Sequence, residues 1–363
     1  MLTILHGADF HLDSPFSGLS PARAAQRRRE QRELLDRLVQ LAQDRRADLV
    51  LLSGDLFDSQ RVYPETVQAL LRCLGQLPCP VFLAPGNHDF CTPGSVYAAV
   101  DWPANVHVFS GEAITAVDLP EQNCTVYGRA FTGPHLAQSP LAGFHLPPAE
   151  DGRLRLMCLH GDVTGHGDYG PITPEDIAAT GLDYLALGHI HRFDGLHREG
   201  NTYWAYPGCP EGRGFDETGE RGVLCLTAAP GSVQAEFVPL ARRRYEALTV
   251  DLTGTEDPLT PLRAALPADA GEHIFRITLT GQCAAPDLPR LEQALAPACY
   301  GLTLIDRTRL PLDLWARRGE DSLTGLFLQL LWEQCQRDPE NATLQLAARF
   351  GLAALEDRED AAL

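Results

Sequence analysis

Five short clusters in this sequence bring carboxylate, imidazole and carboxamide groups together at spacings suited to metal ligation: Asp9-Phe10-His11, Gly54-Asp55, Gly86-Asn87-His88-Asp89, His160-Gly161 and Gly188-His189-Ile190-His191. Side chains alternate along an extended chain, so Asp9 and His11 are expected on one side, where they can share an ion. The same spacing presents His189 and His191 together. Gly54 permits a sharp turn that leaves Asp55 free to bridge two cations, since the two oxygens of a carboxylate can each take one. Asn87 offers a neutral oxygen to a hard cation. One ion can then take Asp9, His11 and His191, the other Asn87, His160 and His189, with Asp55 between them. Nitrogen and oxygen ligands without thiolate suit manganese, iron or zinc. Two such ions clamp phosphoryl oxygens and activate water for in-line attack, so no covalent nucleophile is needed. His88 is not needed to complete either set. It is expected to point away from the Asn87 ion and to protonate a leaving oxygen.

Each cluster needs a strand end to hold it. LTILHG, DLVLLSGD, CPVFLAPGNHD, LRLMCLHGD and DYLALGHIH are apolar runs that close on the five clusters in turn. In open α/β sheets ligands gather at the carboxyl edge. Ser20-Pro21 offers a helix cap and a proline at the first helical position. The segment that follows, to about Arg46, is expected to put Leu34, Leu35, Leu38, Val39, Leu41 and Ala42 on one face and its arginines on the other. A helix over 64–76 then gives a β-α-β-α-β series with parallel pairing. VHVF, CTVYG, TYWAYPG, GVLCLT and VQAEFVPL add further strands, which implies two stacked sheets with helices outside. The fold expected is α/β, with residues 1–240 as the main domain. Residues 241–310 read as a small strand-helix-strand-helix-strand unit, and residues 311–363 as a helical tail. In the tail, Leu323, Leu326, Phe327, Leu330 and Leu331 make a wide apolar face, and Asp338-Pro339 reads as a turn into a second helix.

Composition narrows the class. The chain has 363 residues, 44% hydrophobic and 21% charged, as globular proteins do. No apolar run is long enough to span a bilayer, and no leader pattern follows Met1, so a cytoplasmic protein is expected. The ten cysteines form no CxxC pair and read as buried thiols. The net charge of -18 argues against an autonomous nucleic-acid binder. Yet residues 21–46 hold eight arginines against four acids, and Arg242, Arg243 and Arg244 form a second basic cluster. Asp58 is expected to cap the next turn or brace a ligand, and Asp89 to orient His88 or cap a helix. His6, His107, His135, His145, His197 and His273 lack motif context, and His166 sits in a glycine-rich loop.

The five clusters, in this order, resemble the calcineurin-like metallophosphoesterase superfamily. HGADFHLDSPFSGL, GDLFD and the stretch from Trp204 to Gly222, which looks like a hairpin after the last histidine cluster, are similar to the SbcD-type DNA repair nucleases and their YhaO-like bacterial branch. The resemblance covers residues 1–240 most strongly. It implies a four-layer αββα sandwich with a small α+β cap and a helical C-terminal tail. It makes Asp9, His11, Asp55, Asn87, His160, His189 and His191 metal ligands and His88 the catalytic histidine. It further implies a manganese-dependent nuclease cutting DNA ends and single strands, an SbcC-type ATPase as partner, and a homodimer. Asp58 stands where several relatives place a histidine. The alternative is a small-molecule phosphodiesterase or phosphoprotein phosphatase on the same scaffold.

Overall fold

The structure is a computed structural model that describes residues 1–147, 152–309, 315–338 and 341–355. Two compact units divide the chain: Met1–Ala247 with Ala268–Arg276 and Ala298–Leu302, and Leu248–Pro267 with Ile277–Pro297 and Thr303–Leu363.

The first unit is built on two six-stranded sheets. One contains β1 (Leu2–Gly7), β2 (Leu49–Leu52), β3 (Val81–Leu83), β4 (Val106–Val108), β11 (Gly222–Ala229) and β12 (Ser232–Pro239), in the order β12-β11-β1-β2-β3-β4. Its β1 to β4 run parallel, as the βαβ pattern requires, while β11 enters antiparallel to β1. The other contains β5 (Thr115–Leu119), β6 (Cys124–Gly128), β7 (Leu154–His160), β8 (Tyr184–Gly188), β9 (His197–Glu199) and β10 (Thr202–Ala205), in the order β5-β6-β7-β8-β10-β9. The sequence pattern misses β5 and β9. Both are edge strands with partly exposed residues, so neither carries the apolar run that marks an interior strand.

Alternation along the strands makes three cores. Ile4, Leu49, Leu51 and Phe82 pack against Val126, Leu156, Cys158, Tyr184 and Ala186 between the sheets. On the outer face of the first sheet, Leu5, Val50, Leu52 and Val81 meet α1 (Pro21–Arg45) and α2 (Pro64–Gly75). On the outer face of the second, Met157, Leu159, Leu185 and Leu187 meet Ile177 of α4 (Pro174–Ala179). This is the four-layer αββα sandwich of the sequence reading. The short α3 (Val96–Ala99) places Tyr97 against the first helical layer.

Two expectations fail here. Trp204 to Gly222 is not a hairpin: β10 ends at Ala205 in one sheet and β11 begins at Gly222 in the other, so the residues between them cross from sheet to sheet. And one arginine of residues 21–46 leaves the outer face, while the other seven stay exposed or partly exposed. Arg27 is fully buried in the apolar stripe, where it pairs with Glu30 (2.7 Å) and with Glu211 of the crossing segment and donates to the Gly212 carbonyl (3.2 Å). Arg243 is buried as well and pairs with Glu30 at 2.7 Å. A carboxylate–guanidinium lattice replaces part of the apolar contact between α1 and the 206–221 segment.

β13 (Tyr245–Asp251), β14 (Ile274–Thr280) and β15 (Gly301–Asp306) form a three-stranded sheet, with α5 (Leu259–Ala265) and α6 (Leu288–Leu295) between them in sequence. Near the C-terminus, α7 (Leu323–Arg337) packs on α8 (Ala342–Leu355) through Leu328, half-buried Phe327 and Gly351, where a side chain would collide with the Phe327 ring. Leu323, Leu326 and Leu330 stay exposed along α7. Pro339 of the expected turn lies outside the described residues. Among the described residues no helix is long and apolar enough to cross a membrane. All ten cysteines are free thiols, eight of them buried.

Burial works against the Glu30 charge, but the guanidiniums of Arg243 and Arg27 outweigh it and lower its pKa from 4.5 to about 2. A depressed carboxyl pKa stabilises the fold fully above the unfolded value and loses that contribution as the pH falls through the folded value. Arg27→Met leaves Glu211 buried without its partner and should lower unfolding free energy by about 3–5 kcal/mol at neutral pH. The deficit should narrow as pH drops from 4.5 towards about 2, where Glu30 protonates. Urea unfolding across that range measures both, and a loss under about 1 kcal/mol at neutral pH would mean that water reaches the lattice.

Candidate metal centre

The loop after β1 runs beside the loop after β2. Asp9 N donates to Gly54 O (3.1 Å), His11 N to Asp55 O (2.9 Å) and Leu12 N to Leu56 O (2.8 Å). The extended alternation expected for Asp9-Phe10-His11 is absent. Asp9, His11 and Asp55 take φ values of 54°, 43° and 51°, in the left-handed region that costs a residue with a side chain. The curled loops still deliver the side chains to one place. Asp9, His11 and His191 offer donor atoms within 4.8 Å of one another, as do Asp9, Asp55 and His160, and also His11, Asp55 and His88. Asp55 Oδ2 lies 3.8 Å from His11 Nε2 and 3.5 Å from His160 Nε2, between the two imidazoles as a bridging group must. Asn87 Oδ1 is 2.9 Å from His160 Nε2, and the His189 ring packs edge-on to His160 at 5.3 Å.

The outward ring nitrogens decide what the inward ones can do. His160 Nδ1 donates to Ser53 O (2.9 Å) and His191 Nδ1 to Glu217 Oε1 (2.7 Å), while His11 Nδ1 points at Asp58 Oδ1, 3.4 Å away. With the proton on Nδ1, each Nε2 turns a lone pair inward. His11 Nε2 and His191 Nε2 then face each other at 3.2 Å, and His160 Nε2 faces the Asn87 oxygen. Lone pairs so close repel unless a cation sits against both. The donor set could therefore hold two divalent ions with Asp55 between them: Asp9, His11 and His191 gather for one and His160 beside Asn87 for the other, while His189 falls in none of the three groups.

A family model described as calcineurin-like phosphoesterase matches residues 2–193, a span that contains all seven candidate ligands and His88. The chain belongs to the calcineurin-like phosphoesterase family. Among curated proteins, this calcineurin-like phosphoesterase is 30% identical over 272 residues to YhaO, a metallophosphoesterase of Bacillus subtilis, over 69% of this chain and 64% of that one. It is 24% identical over 288 residues to the DNA double-strand break repair protein Mre11 of Methanosarcina acetivorans, over 76% of this chain and 44% of that one. The chain thus spans under two thirds of either relative. A crystal structure of a dimetal phosphatase from Danio rerio superposes with a TM-score of 0.42 at 14% identity, over 63% of this chain and 93% of that one.

The phosphoesterase site is closed from behind by groups that the motifs do not mark. Glu217 holds His191, and Arg213 holds Glu217 through Nη2–Oε1 (2.7 Å) and Nε–Oε2 (3.3 Å) while its Nη1 reaches Asp58 (3.0 Å). Burial opposes the Glu217 charge, but the His191 and Arg213 contacts hold its carboxyl well below the usual range. Asp58 also accepts from the Ser14 hydroxyl (2.9 Å), so it braces His11 and caps no helix. Asp89 neither orients His88 nor caps a helix. It accepts from Gly86 N (2.8 Å), Phe57 N (3.1 Å) and the Tyr97 hydroxyl (2.6 Å), and so ties the loop after β3 to the loop after β2. Burial, then the nearby Asp55 charge, raise its pKa. His88 N donates to Asp55 Oδ1 (3.0 Å), and its exposed ring is fixed by Nδ1–H donation to the Asp58 carbonyl (3.0 Å). Among the other histidines, His6 is buried against the Tyr184 hydroxyl (2.8 Å), and desolvation lowers its pKa to about 3; His145 and His166 are exposed. Arg213 and Glu217 lie within the Trp204–Gly222 stretch, but nothing in their spacing told of contact with His191.

Asp55→Ala should abolish binding of both ions, since it removes the shared ligand. Glu217→Ala should weaken one of the two sites by about 10–100-fold and spare the other. Metal titration of chelated, manganese-reloaded protein measures both. A wild-type stoichiometry of one ion or none would overturn the dinuclear site.

Proposed function

We propose that this chain hydrolyses phosphodiester bonds in DNA as a manganese-dependent nuclease of the SbcD type. The observation that carries the diester reading is the shape around the metal centre. Two open cavities share Asp58. One, of about 500 Å³, is lined by Asn87, His88, Arg61, His135 and Tyr169. The other, of about 540 Å³, is lined by Phe16, Arg213, Phe215, Tyr245 and Arg276. A diester carries a substituent on each side of phosphorus and can use both; a monoester needs one. The two relatives, a metallophosphoesterase and a DNA double-strand break repair protein, support the same direction.

Two bound divalent ions would supply Lewis acidity to the phosphoryl oxygens and an activated water. The chain's own residues do the rest. Asp55 keeps the two ligand sets in register. Glu217 and Asp58 hold His191 and His11 with their Nε2 lone pairs inward. His88, anchored through Nδ1, presents Nε2 to the cavity that receives the leaving group and, as the doubly protonated imidazolium, delivers its Nε2 proton to the departing oxygen. Asp58 is engaged by Ser14, Arg213 and His11, so it supplies no second acid.

One observation favours the rival, a small-molecule phosphodiesterase. Part of the arginine set that looked ready for DNA is engaged by acids: Arg27 and Arg243 are buried on glutamates, Arg242 faces Glu33 and Glu272 at the surface, and Arg244 faces Glu220, Glu246 and Asp269. An SbcC-type ATPase would supply the missing affinity for duplex ends, and the leucine stripe of α7 offers it a helix-docking face. A homodimer would widen the DNA-binding surface further.

His88→Ala should keep both ions and lower turnover by roughly 10²–10⁴-fold. On linear duplex and circular single-stranded DNA, activity with manganese should fall as salt rises. Salt-independent cleavage of DNA beside faster hydrolysis of a free nucleotide diester would favour the rival. A chain ending near Arg309 should stay folded, keep cleaving bis-p-nitrophenyl phosphate and fail to co-purify with the ATPase. Retained ATPase binding would move the partner surface elsewhere.

A further inference from the structure

The larger of the two cavities beside the metal centre has a lining that points to one kind of occupant. Its cations are outnumbered. Arg213 is taken up by Glu217 (2.7 Å) and Asp58 (3.0 Å), and the lining as a whole sets Asp58, Asp216 and Glu217 against Arg213 and Arg276. No surplus cation remains for a second phosphate, so an uncharged group is favoured there. Its apolar surface is aromatic. The Phe215 ring meets Tyr245 edge-on at 5.1 Å, and the Arg276 guanidinium lies 4.0 Å over the Phe215 centroid. Arg276 is exposed, so this stacked pair leaves the outer face of the guanidinium open to a further flat group. Asp216 and Ser17 in the wall can accept and donate at the edge of such a group.

The opposite wall is held under strain. Phe16, in the loop after the first ligand cluster, takes φ 49°, a conformation that a bulky side chain avoids. The buried Arg27 guanidinium packs over its ring at 5.3 Å, and its carbonyl accepts from Leu19 N (2.9 Å). Strain kept in place by surrounding contacts marks positions whose geometry matters. The cavity volume of about 540 Å³ is in the range of small-molecule sites. Through Arg213, 3.1 Å from His191 Nδ1, it adjoins the metal centre, and it shares Asp58 with the cavity beside His88.

We propose that this cavity is a nucleoside subsite: it takes the base of the nucleotide that keeps the phosphate, stacked on the Phe215–Arg276 pair, while the leaving group occupies the His88 side. The subsite rests on the diesterase reading and names its substrate as a nucleoside phosphodiester. A DNA strand then enters with one base seated in the cavity and its neighbour past His88.

The test compares diesters that share a p-nitrophenol leaving group and differ in the other arm, with the manganese-loaded full chain. Thymidine 5′- and 3′-(p-nitrophenyl phosphate) carry a base for the cavity, and methyl p-nitrophenyl phosphate does not. At least one thymidine ester should be favoured in kcat/KM by roughly 5- to 150-fold, the span of base-stacking effects. Arg276→Ala and Phe215→Leu should each remove most of that preference, lowering kcat/KM on the thymidine ester far more than on the methyl ester. An equal kcat/KM for all three esters, a preference that survives in both variants, or an equal loss on every ester would overturn the subsite. If the wild type cleaves none of the esters, the diesterase reading falls, and the subsite is judged by equilibrium binding. Thymidine monophosphate should then bind the metal-loaded chain more tightly than inorganic phosphate by a similar factor, lost in both variants, and equal binding would refute it.

Discussion

Asp55 is a carboxylate sealed from water with imidazoles on either side, and the rest of the catalytic unit is arranged to make that tolerable. A buried charge needs partners, and here they come from four loop ends across two sheets. Space for them is bought with glycine. A side chain at Gly86 would come within 2.1 Å of Asp55 Oδ1, one at Gly54 within 2.4 Å of His160 Nδ1, and one at Gly188 within 1.8 Å of Ser53 O. The glycines of the motifs are there because backbone must lie where side chains cannot. The inward ring nitrogens of His11 and His191, 3.2 Å apart, add to the donor atoms gathered there.

From that demand the outer arrangement follows. Each imidazole is turned by an acceptor behind it: the Ser53 carbonyl for His160, Glu217 for His191, Asp58 for His11. Two of these acceptors are carboxylates, and Arg213 neutralises both. The segment that carries Arg213 and Glu217 is in turn pinned to α1 by Arg27 and Glu211, and to the last ligand by Arg221, which donates to the His191 carbonyl. Arginine in this protein thus serves as internal scaffolding as much as surface charge. That is why Arg27 and Arg243, one from each basic cluster, are withheld from the surface of a chain with a net charge of -18.

The sequence by itself determined the layers of the main domain and the polar groups that close its strands. Apolar runs closing on Asp, Asn and His needed no tertiary information to be read, because a strand's period and a ligand's chemistry are local properties. The left-handed turns at Asp9, His11 and Asp55 were not legible. They arise from hydrogen bonds between two loops more than forty residues apart, and an extended chain was the wrong local picture for side chains that nonetheless gather in one place. The roles of Asp58, Asp89, Arg213 and Glu217 were decided by tertiary structure alone. A carboxylate or guanidinium reads the same in sequence whether it faces water, caps a helix or braces an imidazole, and only the arrival of a partner from another strand end distinguishes these. The edge strands β5 and β9 escaped for a related reason: pairing through the backbone leaves no mark on side chains that remain in solvent.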